Sequence, residues 1–163
     1  MLLNKSARAN PLIFSIIKDG ILKLTDYEGT VLSMDLEGRV LIYATNKTTY
    51  RRTLQNRYLQ IKYRDGKRAV KMLGLNEGRE IAHEAFEFLK SCRNEIDNSS
   101  IRAALDYIIE KGSDFLEDDA RKLNEIYEGE IPIVPPDQYF PVYLQATTGC
   151  YWNNCTFCNL YNL

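Results

Sequence analysis

The chain has 163 residues, 45% hydrophobic and 26% charged, with a net charge of −1. That composition excludes a disordered polymer and a polyelectrolyte drawn as a whole to nucleic acid or membrane, and it leaves enough apolar material for a real core. No apolar run approaches the roughly 20 residues of a spanning helix. No small-residue cleavage site follows the N-terminal apolar patch, so a cytoplasmic chain with no membrane partner is expected.

Residues 8 to 23 read as a helix, with Leu12, Ile13, Ile16, Ile17 and Ile21 on one side and Pro11 and Gly20 as brackets. The next stretch, TVLSMDLEGRVLIYATNKTTYRRTLQNRYLQIKYRDGKRAVKML, alternates short apolar runs with turn signals. The turns fall at Glu37-Gly38, Asn46-Lys47, Gln55-Asn56 and Asp65-Gly66, which predicts an antiparallel meander of about four or five strands. Asp65-Gly66 is the strongest, because a type I′ turn needs positive φ at both central residues. Val40, Ile42 and Ala44 are expected on one face of their strand, and Leu59, Ile61 and Tyr63 on one face of another.

The period then becomes helical. Ile81, Ala85, Phe88, Leu89 and Cys92 mark one stripe. Ile101, Ala104, Leu105, Ile108 and Ile109 mark a second, entered through Asn98-Ser99-Ser100 and ended by Gly112. Leu116, Ala120, Leu123 and Tyr127 mark a third, with a capping box expected between Asp114 and Glu117 and a C-terminal cap at Gly129. Four of the five prolines lie between Pro132 and Pro141, so EGEIPIVPPDQYFP reads as an extended linker and a domain boundary. VYLQATTG follows as a strand, with Val142, Leu144 and Ala146 on one side.

Three of the four cysteines then close the chain as Cys150, Cys155 and Cys158, spaced C-x4-C-x2-C. Thiolates this close converge on one soft centre, a metal or an iron–sulfur cluster. Three local ligands, where structural zinc takes four, leave one coordination position open.

The run Leu144-Gln145-Ala146-Thr147-Thr148-Gly149-Cys150, then Asn153, then Cys155-Thr156-Phe157-Cys158 resembles the radical S-adenosylmethionine (radical SAM) enzymes, in the subset with one extra residue in the first cysteine gap. The upstream DLEGRVLIYATNKTTYRR and PPDQY segments are similar to leader regions of that subset. The resemblance implies that Cys150, Cys155 and Cys158 hold three irons of a [4Fe–4S] cluster. It also implies that S-adenosylmethionine occupies the fourth iron, with Phe157 beside the adenine, and that one-electron reduction yields a 5′-deoxyadenosyl radical. The family's barrel extends on the order of 200 residues past its first strand, and five residues follow Cys158 here. The expectation is therefore an N-terminal portion that is inactive alone, with an unknown substrate and with a second chain as one way to complete the barrel.

The expected fold class is α+β. An antiparallel meander with about three helices forms a leader over residues 1–136, and residues 137–163 begin a truncated TIM-like β/α barrel. The competing reading is a non-enzymatic binding module for nucleic acid or a protein. In it the cysteines hold structural zinc, with Cys92 or His83 as fourth ligand, or go unused. Cys92 on an apolar stripe reads as a packed small hydrophobe, and His83 as a surface helix residue. From Lys47 to Lys71 there are nine Lys/Arg and one acidic residue, with Tyr50, Tyr58 and Tyr63 interleaved. The neutral overall balance favours a solvated sheet face with charged edges over a nucleic-acid surface. From Glu110 to Glu130 the sign reverses, with eight acidic residues against three basic, so the two stretches are able to pair.

Overall fold

The computed structural model describes residues 20–45, 47–127 and 152, and residues 12–18 by their backbone. Within them the chain is α+β: seven antiparallel strands followed by three helices. The strands are β1 (Leu12–Lys18), β2 (Ile21–Asp26), β3 (Val31–Asp35), β4 (Val40–Thr45), β5 (Thr48–Arg52), β6 (Tyr58–Arg64) and β7 (Lys67–Met72). Each pairs with its neighbour in sequence, so the sheet is a pure meander. The helices are α1 (Leu75–Arg93), α2 (Ser99–Lys111) and α3 (Phe115–Ile126). The boundary expected near residue 136, strand 142–148 and the barrel start lie outside the described residues.

The five strands from β3 to β7 match the alternation in the sequence, with turns at Glu37-Gly38, Gln55-Asn56 and Asp65-Gly66, while Asn46 lies outside the described residues. Asp65 and Gly66 have φ of 50° and 73°, the double positive φ of the expected Asp-Gly turn. The helix expected over residues 8 to 23 is instead the β1–β2 hairpin. Its isoleucines are β-branched and suit a pleated surface. In β2 the deciding period is two: Leu22 and Leu24 are fully buried while Lys23 between them is exposed.

A second correction concerns β4. The register against β3 slips between Ser33 and Met34, pairing Met34 with Val40 and Ser33 with Ile42. This bulge changes the parity of the strand. Val40 and Tyr43 therefore face the core, and Ile42 and Ala44 the other side, half-buried. In β6 Leu59 and Ile61 share a face as expected, and Tyr58 points the opposite way into the core. Tyr63 is 69% exposed.

Helix α1 lies across β3 and β4, and α2 packs on α1. Leu22, Leu24, Leu32, Met34 and Tyr58 from the sheet meet Ile81, Ala85, Phe86 and Leu89 from α1. Leu105, Ile108 and Leu116 close this core from α2 and α3. Burying each such side chain contributes roughly 1.5–3 kcal/mol. Asn98 caps α2 as expected, its Oδ1 accepting from the amides of Ser100 (3.0 Å) and Ile101 (3.1 Å). The Gly112 amide ends it by donating to the Ile108 and Ile109 carbonyls. The capping box on α3 does not form: Asp114 makes no side-chain cap bond, and the Glu117 carboxylate accepts from Arg79 instead. Tyr127 closes α3, and Gly129 lies outside the described residues.

Candidate functional site

Cys150, Cys155, Cys158 and Phe157 all lie outside the described residues. Of the side chains weighed as a fourth zinc ligand, both are described. Cys92 sits on α1 inside the core, 4% exposed, and burial pushes its thiol up to about 11. It packs as a small hydrophobe, as its place on the stripe suggests. His83 is exposed on α1 beside a shallow cleft of about 350 Å³ bordered by Arg79, Ser113, Asp114 and Glu117. Among the described residues no three His, Cys, Asp or Glu side chains converge as metal ligands. No helix there is long and apolar enough to cross a membrane.

The most buried charge is Arg52, at the end of β5, 2% exposed. Its Nε donates to Asn56 Oδ1 at 2.8 Å, and its Nη2 reaches the Leu116 carbonyl and Asp119 Oδ2, both at 3.4 Å. Asp119 on α3 also accepts from Arg39, whose Nε lies 2.9 Å from both carboxylate oxygens. Arg39 in turn bridges to Asp35 at 3.1 Å. Asp35 Oδ1 accepts from the amides of Glu37 and Arg39, which fixes the β3–β4 turn. Lys111 at the end of α2 donates to the Glu37 carbonyl at 2.7 Å.

Burial raises the Asp119 carboxyl, but the hydrogen bond from Arg39 and the two guanidinium charges outweigh it, leaving the group below its ordinary value. The Arg39 guanidinium is raised, chiefly by its bond to Asp119. Burial lowers Arg52. These side chains line an open cleft of about 390 Å³ with Leu41, Leu54, Lys122 and Ile126. Asp35, Arg39, Arg52 and Asp119 each face an opposite charge there, so their chemistry is that of a clamp holding α3 to the turn. The Arg52–Asp119 pair also joins the basic stretch to the acidic one within the chain. Sequence reading missed this cluster. Its one local signal is Asp35 four residues before Arg39.

Five basic residues of the Lys47–Lys71 stretch, Lys62, Arg64, Lys67, Arg68 and Lys71, lie on β6–β7. Every residue from Lys62 to Met72 is exposed. Lys71 pairs with Glu77 at 3.0 Å. Lys62, Arg64, Lys67 and Arg68 have no carboxylate partner among the described residues. β7 is the sheet edge, pairing with β6 alone.

No protein-family model, no curated protein and no solved structure matches the chain.

Proposed function

We propose that this chain is the N-terminal portion of a radical SAM enzyme, in which an α+β leader precedes the strand carrying the cluster ligands. The observation that carries the reading is the run from Leu144 to Cys158, where three cysteines at C-x4-C-x2-C spacing surround a Thr-Phe pair. The donor set fits the group: three soft thiolates within nine positions suit iron and sulfide, and they leave one iron open. Cys92, in the core with its thiol pushed up by burial, is poorly placed to close the set as a fourth ligand.

When bound, the [4Fe–4S] cluster would supply one-electron chemistry on S-adenosylmethionine. The chain's own part would be ligation by Cys150, Cys155 and Cys158 and contact with the adenine at Phe157. Substrate choice and turnover would belong to a polypeptide that includes the barrel.

The test is anaerobic reconstitution of the full chain with iron and sulfide. The expected result is a brown protein with the visible absorption and reduced-state paramagnetic signal of a [4Fe–4S] cluster, lost in Cys155→Ala and kept in Cys92→Ala. A protein that takes up zinc instead, or a cluster that survives Cys155→Ala, overturns the reading.

A further inference from the structure

The β6–β7 ribbon has a shape and charge that the clamp, the core and the cysteine run leave unused. Lys62 pairs with Thr48, the first residue of β5, so the sheet loses its third strand at that point. Beyond it the ribbon continues as two strands alone, through the pairs Tyr63–Arg68 and Arg64–Lys67 to the Asp65-Gly66 turn. Two residue pairs reach ~7 Å past β5 before the turn is counted.

Paired residues share a face, so the cations divide between the two sides. Lys62, Arg64 and Lys67 lie on one, and Arg68 with Tyr63 on the other. Asp65, at the tip, is the acidic residue among them. An edge that only needs to repel other strands requires a charge or two along β7. Here four cations with no carboxylate partner among the described residues surround the tip on both faces of a strip two strands wide.

We propose that this ribbon is a docking finger for duplex DNA, entering the major groove tip-first. The B-form major groove is roughly 12 Å wide and 8.5 Å deep and admits a two-stranded ribbon. Its walls are two phosphate backbones, one on each side, which is where a finger with cations on both faces places its charge. An A-form RNA duplex has a deep, narrow major groove that excludes such a ribbon. A single strand or an acidic peptide offers charge to one face only. Lys and Arg on phosphates give binding that is indifferent to sequence.

The test is fluorescence anisotropy with the full chain and a labelled DNA duplex of about 20 base pairs. Parallel arms use the same sequence as RNA duplex, single-stranded DNA, poly-glutamate and anionic phospholipid vesicles. Non-specific dissociation constants near 10⁻⁴–10⁻⁶ M are expected at about 0.1 M salt. With four phosphates engaged, log affinity should fall with log salt at a slope of about −3.6. The combined variant Lys62→Gln, Arg64→Gln, Lys67→Gln, Arg68→Gln should lose binding by tenfold or more and flatten that slope, with an unchanged unfolding midpoint. The double variant Arg121→Gln, Lys122→Gln should bind as before. Absence of duplex binding at low salt, equal binding to any of the other arms, or binding that survives the combined variant overturns the proposal. None of these readouts depends on an iron–sulfur cluster, so its failure leaves the cysteine reading standing.

Discussion

Arg39 at the β3–β4 turn and Arg52 at the end of β5 are folded into the structure, the first bridging two carboxylates and the second 2% exposed against Asp119. At the far edge of the same sheet Lys62, Arg64, Lys67 and Arg68 have no carboxylate partner among the described residues. Both groups of cations come from one meander. They differ in what lies over them: α3 brings Asp119 to the turn, and the β6–β7 tip runs past β5 into solvent. A desolvated guanidinium must be paired to be tolerated, whereas a solvated one costs nothing to leave unpaired. The first group should therefore govern stability and the second should not.

The largest expected effect comes from removing the shared carboxylate. Asp119→Ala removes the carboxylate that faces the buried Arg52 and holds Arg39, and should cost about 3 kcal/mol, read as a lower denaturant midpoint with an unchanged slope. Asp119→Asn keeps an acceptor and should cost less. The pH dependence has a definite sign. The folded Asp119 carboxyl lies below its unfolded value of roughly 3.9, so its contribution is complete above that pH and is lost as pH falls through the folded value. The difference between wild type and Asp119→Ala should accordingly shrink below about pH 4. A difference that persists there would assign the loss to packing.

A matched pair of glycines sharpens the contrast. Gly38 has φ of 93°, and a Cβ there would lie 2.9 Å from Ile108 Cγ2 and 3.3 Å from Phe115 Cε1. Gly66 has φ of 73° with nothing within 4 Å. Gly38→Ala should destabilise by about 2–3 kcal/mol, combining backbone strain with overpacking. Gly66→Ala should cost only the backbone part, about 1 kcal/mol. Equal losses in thermal unfolding would mean that the helices yield freely at the turn, against a clamp.

These features differ in how far the sequence reveals them. The strands from β3 to β7 were legible because turn chemistry is local: an Asp-Gly or Glu-Gly pair carries its own backbone preference. The β1–β2 hairpin was not, because its clustered isoleucines satisfy a helical stripe and a strand alternation together, and only pairing decides. The face of β4 was misread because a bulge is a property of two strands, and Val40 alone does not show that Met34 opposes it. The Arg39–Asp119 half of the clamp was invisible for a related reason, since the two are 80 residues apart, whereas the opposite charge of the two stretches allowed for the Arg52–Asp119 pair. The stripes of α1 and α2 were plain except at Phe86, which is 1% exposed in the core while the expected Phe88 is only partly buried, and with them the inert place of Cys92. The cysteine run is read from its spacing in the sequence, and its residues lie outside the described ones.

The smallest expected effect is the one that separates docking from edge protection. Replacing Lys62, Arg64, Lys67 and Arg68 by Gln alters exposed side chains that the fold does not use, so the unfolding free energy should stay within about 0.5 kcal/mol of wild type. If those charges exist to blunt an edge strand, neutralising them should let β7 pair with other chains. Val70 and Met72, already 50% and 39% exposed on that strand, would add apolar surface to the contact. The docking reading expects an unchanged sedimentation profile together with lost DNA binding. A shift toward larger species with DNA binding retained would mean that the cations guard the sheet rather than reach out from it.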